Sequence, residues 1–132
     1  MTVRGAQPAW AILGVLVLSL AVVTGCGGEP GRLSGDIALY RPTGNGGDTA
    51  LLEGELVRDG GCTYLRTDHG ERWLPIFPAD AVWRDDSVES GGRRYRQGST
   101  VGLAGSEGRR DLADHLPDGC ADDVPAWMVA RR

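Results

Sequence analysis

The chain has 132 residues, of which 41% are hydrophobic and 24% charged. This is the composition of one globular domain, and the length excludes a large multi-domain enzyme. The formal net charge is −4, from 14 basic and 18 acidic residues, so nothing in the electrostatics favours nucleic-acid binding. The apolar residues are unevenly distributed, because no charge occurs between Arg4 and Glu29.

The N-terminal segment has the three-part layout of a secretory signal. Arg4 supplies a positive start, residues 9–23 (AWAILGVLVLSLAVV) form an apolar run, and small residues follow up to Cys26. The run is at the upper limit for a signal peptide and shorter than the roughly 20 residues that cross a bilayer comfortably. The sequence therefore predicts a signal peptide over residues 1–25, with an uncleaved membrane anchor as the alternative.

The signal ends in Val23, Thr24, Gly25 and Cys26, which resemble the lipobox of bacterial lipoproteins. Val23 departs from the leucine that is usual at the first position. The resemblance implies cleavage before Cys26, lipid attachment to its thiol, and a location on the extracytoplasmic face of the cell membrane. Two or three acyl chains anchor a protein stably, whereas one chain binds only marginally. Residues 26–48 are then predicted to be the lipidated cysteine and a flexible tether.

The odd cysteine count is explained if Cys26 carries lipid. Cys62 and Cys120 remain as a pair in an exported, oxidising setting, where a disulfide is expected. The two cysteines are 58 residues apart, and a cross-link over that distance stabilises a domain by about 4 kcal/mol in the chain-entropy model. A redox or metal-binding pair is disfavoured, because the sequence has no C-x-x-C and no histidine at ligand spacing from either cysteine.

Residues 49–132 are predicted to form a single β-rich domain of short strands separated by glycine turns. Strands over Thr49–Val57, Cys62–Thr67 and Glu71–Phe77 form an antiparallel meander. Gly54 indicates a bulge or sharp bend in the first strand, and Pro75 should confine the third strand to an edge or bend.

The second half of this domain adds a shorter apolar piece over Ala81–Arg84 and two further strand candidates, over Ser99–Ala104 and Val124–Ala130. One short helix is predicted over Arg109–Leu116, followed by Pro117. Five or six strands and one helix predict a mainly β fold, as a small antiparallel barrel of OB-like or SH3-like type.

Four short patterns run through this domain, and together they resemble small exported lipoproteins of actinobacteria over roughly residues 50 to 130. The resemblance implies an envelope-exposed β domain and brings no particular activity. The patterns are Gly61-Cys62-x-Tyr64-Leu65, Trp73-Leu74-Pro75-Ile76-Phe77-Pro78, Gly98-x-x-Val101-x-Leu103-x-Gly105 and Pro117-x-x-Cys120.

Few residues suit catalysis, so no catalytic residue, metal site or cofactor is predicted. His69 and His115 are the two histidines, the residue type that most often serves as a general base, and Ser106 does not stand in a G-x-S-x-G motif. A group of acids near Cys120 could hold a hard cation but lacks the ligand spacing of a calcium loop, so a solvated acidic face is expected. Its members are Asp111, Asp114, Asp118, Asp122 and Asp123.

Aromatic side chains are the strongest indication of a ligand surface. Each ring buries on the order of 150–250 Å² in a core, and core packing is the common outcome. An exposed ring would mark a ligand groove. The possible ligand surface comprises Trp73, Trp83, Trp127 and Tyr95.

Tyr95 also lies in the one basic run, with Arg93, Arg94 and Arg96. This run would suit anionic lipid headgroups or a cell-wall polyanion, although a solvated loop is the simpler interpretation.

The sequence thus predicts a lipid-anchored, extracytoplasmic binding or interaction module, whose partner is an envelope protein or a cell-wall ligand. One alternative is a hydrolytic or metal-dependent accessory enzyme using His69, His115 and the acidic group. Another is a structural envelope protein without a ligand.

Overall fold

The computed structural model describes Gly5, residues 35–44 and residues 50–131. The predicted signal peptide, the lipobox with Cys26, and most of the tether lie outside the described residues. Within these ranges the chain forms nine strands and one 3₁₀ turn over Arg110–Leu112. The strands are β1 Ala38–Tyr40, β2 Ala50–Asp59, β3 Cys62–Arg66, β4 Arg72–Pro78, β5 Val82–Arg84, β6 Ser87–Ser90, β7 Arg93–Arg96, β8 Thr100–Gly108 and β9 Ala126–Val129.

The mainly β class is therefore confirmed, and the predicted helix over Arg109–Leu116 is wrong. Only its first turn is helical. The backbone N–H groups of Asp114 and His115 donate instead to the carbonyl of Leu39. An i, i+4 helix would need those donors for itself, so the bridge to β1 replaces the helix.

Six strands form one sheet, in the order β1-β4-β3-β2-β8-β9, and β4 pairs with β9 as well. Five strands are thus hydrogen-bonded in a circuit. The sheet is mixed, because β1 and β9 run parallel to β4, so the antiparallel arrangement that we predicted is wrong. The circuit is not closed into a regular barrel, and β3 and β4 share only two residue pairs.

Pro75 lies at the centre of this sheet, fully buried, and not at an edge as the sequence predicts. The N–H of Leu74 faces β9, where it donates to the carbonyl of Pro125. The nitrogen of Pro75 therefore faces the opposite side of β4. There the pairing with β3 ends at Trp73 and the pairing with β1 begins at Ile76. A missing donor costs nothing in that gap, so the proline is tolerated.

The folded domain begins earlier than residue 49, which corrects the predicted boundary of the tether. Ile37 and Ala38 are fully buried, and the carbonyl of Asp36 accepts a hydrogen bond from the N–H of Thr63. The segment from Asp36 to Tyr40 belongs to the sheet because it supplies a parallel neighbour for the end of β4.

A second sheet is inserted between β4 and β8. It has three antiparallel strands, in the order β5-β6-β7. Val88 of β6 and Trp83 of β5 are buried in the main core, so this sheet packs on the larger one. Gly91 and Gly92 both have positive φ in the β6–β7 turn, a conformation for which glycine is suited.

The apolar side chains form two clusters on opposite faces of β3 and β4. The main core holds Leu65, Phe77 and Trp127. The second cluster holds Tyr64, Leu74 and Ile76, together with the buried Cys120 and Val124 from the β8–β9 connection. We call residues 109–125 the strap. The strap covers the face of β3 and β4 that would otherwise expose the second cluster.

Candidate ligand groove beside Trp73

The structure separates the four aromatic residues of the predicted ligand surface. Trp83 and Trp127 are core residues, only 3% and 6% exposed. Each indole N–H has an internal acceptor, the Thr63 hydroxyl for Trp83 and the Leu103 carbonyl for Trp127. Neither ring is therefore available to a ligand.

The other two rings are half-buried. Tyr95 leans against Phe77, with ring centroids 6.0 Å apart. Trp73 meets Trp127 edge to face, with centroids 6.0 Å apart and an interplanar angle of 89°. Of the four, Trp73 is the one that lines a surface groove in the described part of the chain.

This groove, which we call the Trp73 groove, has a volume of about 390 Å³. It forms where β4 and β9 begin and β8 ends, so it lies at one end of the strand circuit. Glu107 stands directly opposite Trp127 in the β8–β9 pairing, and the Leu74–Pro125 hydrogen bond holds the start of β9 beside β4. The lining residues are Glu71, Arg72, Trp73, Glu107, Gly108, Pro125 and Ala126.

The charge in the Trp73 groove is dominated by two carboxylates. Glu71 and Glu107 are both exposed, and neither forms an ion pair within the described ranges. Arg72 lies over the ring of Tyr64 at 4.3 Å from its centroid and reaches Asp59 at 3.4 Å. Its guanidinium is thus engaged on the opposite side of β4 from Trp73, as strand alternation requires.

The indole N–H of Trp73 is buried and has no hydrogen-bond partner among the described residues. Leaving such a donor unsatisfied costs about 1–3 kcal/mol. A phenylalanine or leucine would pack against Trp127 without this cost. Packing alone therefore does not account for tryptophan at this position.

A disulfide and a hydrogen bond fix the strap against β3. The predicted disulfide is confirmed, with Cys62 and Cys120 joined at an S–S distance of 2.03 Å. The hydroxyl of Tyr64 accepts from the N–H of Ala121 at 2.8 Å. Gly119 lies so close to the turn after β2 that an added Cβ would stand 1.9 Å from the carbonyl oxygen of Gly60. These contacts hold the strap over the outer face of β3 and β4.

The residues of the enzyme alternative lie on the surface. His69 is in the β3–β4 turn, beside Asp68, and its side chain is 84% exposed. His115 is exposed on the strap, where its backbone pairs with Leu39. Neither histidine lines any of the four grooves described for this domain.

The acidic group on the strap is similarly dispersed. Asp111 pairs with Arg109, and Asp122 lies 3.6 Å from Arg110. The carboxylate of Asp114 accepts the backbone N–H of Arg41 at 2.6 Å. Within the described residues, no three histidine, cysteine, aspartate or glutamate side chains are grouped so as to hold a metal ion.

The basic run around Tyr95 forms strand β7, and its charges are mostly paired. Arg94 and Arg84 both contact Glu89, at 2.9 Å and 2.8 Å. Arg96 contacts Asp86 at 2.9 Å. A hydrogen bond from Ser87, with the nearby Arg96, lowers the pKa of Asp86. Paired guanidinium groups do not form the free positive surface that an anionic headgroup would need.

No family model, curated protein or solved structure matches this chain. Among the described residues there is no helix long and apolar enough to cross a membrane.

The sequence identifies Trp73 but not its neighbours in the groove. Glu107 and Pro125 join Trp73 only through the pairing of β8 with β9 and of β9 with β4. They are 34 and 52 residues away along the chain. No local pattern carries that information.

Proposed function

We propose that this protein is a lipid-anchored, extracytoplasmic binding module and that the Trp73 groove is its ligand site. The half-buried ring of Trp73 carries this proposal, because it lines a groove that two exposed carboxylates also line. A concave site with an aromatic wall and a few polar groups is the usual form of a ligand pocket.

The cysteine pairing supports the lipid anchor. Of the three cysteines, Cys62 and Cys120 are bonded to each other, which leaves Cys26 for acylation at the lipobox. Mass spectrometry of the intact protein from membranes should show loss of residues 1–25 and the added mass of acyl chains. Cys26→Ala should remain a precursor that incorporates no labelled fatty acid. Label in that variant would overturn the assignment.

We also propose that the five-strand circuit is OB-like rather than SH3-like. The support is its connectivity, in which β2, β3 and β4 form a meander and β8 returns to pair with β2. β9 then lies between β8 and β4. An OB fold is a five-stranded, partly open barrel that binds ligands on its second and third strands. Here those strands are β3 and β4, and the strap covers their outer face.

Capture of partners from an envelope extract tests the binding role. Full-length lipidated protein in uncharged detergent should retain a protein or cell-wall component that the Trp73→Leu variant does not retain. Leucine keeps an apolar contact with Trp127, and urea unfolding checks that the variant is folded. Glu53→Gln is a matched control, because Glu53 is exposed on β2 and lies outside the Trp73 groove. Equal retention by wild type and Trp73→Leu would place the ligand site elsewhere.

A further inference from the structure

The Trp73 groove has a charge pattern that indicates which ligands it would bind. Glu71 and Glu107 contribute two negative charges, and the single cation among the lining residues, Arg72, is engaged with Tyr64 and Asp59. A ligand that enters the groove therefore meets two carboxylates without a bound counter-charge from the described residues.

The aromatic ring of Trp73 also favours a positively charged ligand. The ring of a tryptophan attracts a cation more strongly than that of tyrosine or phenylalanine. Carboxylates accept hydrogen bonds and donate none when ionised. An ammonium group has three donors and a positive charge, so it can donate to the carboxylates and also be attracted by the tryptophan ring. A neutral sugar would leave the two negative charges uncompensated.

Apolar lining completes the site. Pro125 and Ala126 also line the groove, and Gly108 adds no side chain to it. An alkyl chain can lie along this surface while its charged end reaches the carboxylates, as the stem of a lysine does on protein surfaces. The groove thus matches a short alkyl chain that ends in an ammonium group.

We propose that the Trp73 groove binds an alkylammonium group, with Glu71 and Glu107 as the charge partners and Trp73 as the aromatic wall. This rests on the proposed function, since it names the ligand chemistry of the same groove. The group is the side chain of a lysine in an envelope protein, or the free amine of a cell-wall peptide, which presents the same chemistry.

Titration with a defined probe tests the proposal. The probe is Nα-acetyl-lysine methylamide, added to full-length protein with ¹⁵N-labelled tryptophan in uncharged detergent micelles. The indole signal of Trp73, assigned by its absence in Trp73→Phe, should shift with saturation. The Nε-acetylated probe, which has lost the charge, and N-acetylglucosamine should leave the signal unchanged. Binding should weaken as sodium chloride rises from 0.05 to 0.5 M, because salt screens exposed charges.

Variants identify the charge partners. Glu71→Gln and Glu107→Gln should each weaken binding of the lysine probe by about fivefold, as expected for one exposed charge contact. Glu53→Gln should leave it unchanged. Equal shifts with the Nε-acetylated probe, or unchanged affinity in both glutamine variants, would overturn the ammonium assignment.

The extract experiment separates this proposal from the proposed function. Capture that depends on Trp73, without any response to the lysine probe, would leave the groove as the ligand site and reject ammonium recognition. If capture does not depend on Trp73 and the lysine probe also gives no response, the groove is rejected as a ligand site. Pretreatment of the extract with a protease or with a muramidase distinguishes the sources. A protein lysine predicts that capture is lost after the protease, whereas a cell-wall amine predicts that capture survives the protease and that the captured material is reduced to small glycan-peptide fragments by the muramidase.

Discussion

The indole rings of Trp73 and Trp127 meet edge to face at 6.0 Å, yet only the N–H of Trp127 has a hydrogen-bond acceptor. One ring closes the core and the other forms the wall of a groove. The two tryptophans therefore have different energetic roles although they touch each other. Conservative substitutions at the two positions should separate those roles.

Trp127→Phe should destabilise the protein by about 2–4 kcal/mol, because it leaves a cavity and removes the bond to the Leu103 carbonyl. Trp73→Phe should change the free energy of unfolding by less than about 1 kcal/mol, since the removal of an unsatisfied donor offsets the packing lost with the smaller ring. Urea unfolding followed by circular dichroism measures both. Equal losses of stability in the two variants would show that Trp73 is an ordinary core residue.

The disulfide should stabilise the protein largely through the strap. The Cys62→Ala/Cys120→Ala double variant should lose about 4 kcal/mol, as expected for a cross-link that spans 58 residues. That is a large part of the 5–15 kcal/mol typical of a small domain. Urea unfolding measures the loss, and an unchanged free energy of unfolding would contradict it. The amide of Ala121, which donates to the Tyr64 hydroxyl, should also lose protection from hydrogen exchange.

Tyr64→Phe serves as the control for that experiment. It keeps the disulfide and removes the acceptor of the Ala121 amide. Protection at Ala121 should fall, while the free energy of unfolding falls by only about 1–2 kcal/mol, because the variant also loses the long hydrogen bond from the Tyr64 hydroxyl to the Gly119 carbonyl. If the control loses as much stability as the double variant, the hydrogen bond and not the cross-link holds the strap.

The close approach of Gly119 to Gly60 gives a prediction about the strap's position. Gly119→Ala places a Cβ against a backbone carbonyl, which cannot rotate away. We expect a loss of about 1–3 kcal/mol from the forced shift. Gly102→Ala is the matched control, because its nearest neighbour is the side chain of Leu51 at 3.0 Å. Leu51 is 57% exposed and can move, so thermal unfolding should find this control close to wild type.

The meander from β2 to β4 was predictable because its signals are local. The Gly60–Gly61 turn has positive φ at both residues, and it joins two strands that pair through Asp59 and Cys62. Glycine at a two-residue turn between strands of alternating apolar residues encodes a hairpin directly. Gly54 lies in regular register with Val101, without the bulge that we expected, and its glycine is explained by a close approach, since an added Cβ there would stand 2.5 Å from the Arg66 carbonyl oxygen.

The elements that the sequence did not predict correctly depend on partners that are distant along the chain. The segment after β8 has the spacing of a short helix, but Leu39 accepts its backbone donors from more than 70 residues away. Pro75 is tolerated in the middle of a sheet because β3 and β1 divide one side of β4 between them. The strands β6 and β7 are short and largely polar. Their sequences therefore carry no strand pattern, and these strands form because the small sheet packs on the main one.

Tyr40 predicts how stability depends on alkaline pH. Its hydroxyl donates to the Val129 carbonyl, and burial, partly opposed by Arg131, raises its pKa. A raised folded-state pKa means that this contribution is complete below the unfolded pKa of about 10 and is lost as pH rises through the folded value. Wild type should therefore lose stability between about pH 9 and pH 11 more steeply than Tyr40→Phe. The variant should be less stable at pH 8 by about 1 kcal/mol, the worth of the lost hydrogen bond. Urea unfolding at both ends of this range measures the difference, and parallel pH profiles would contradict the assignment to Tyr40.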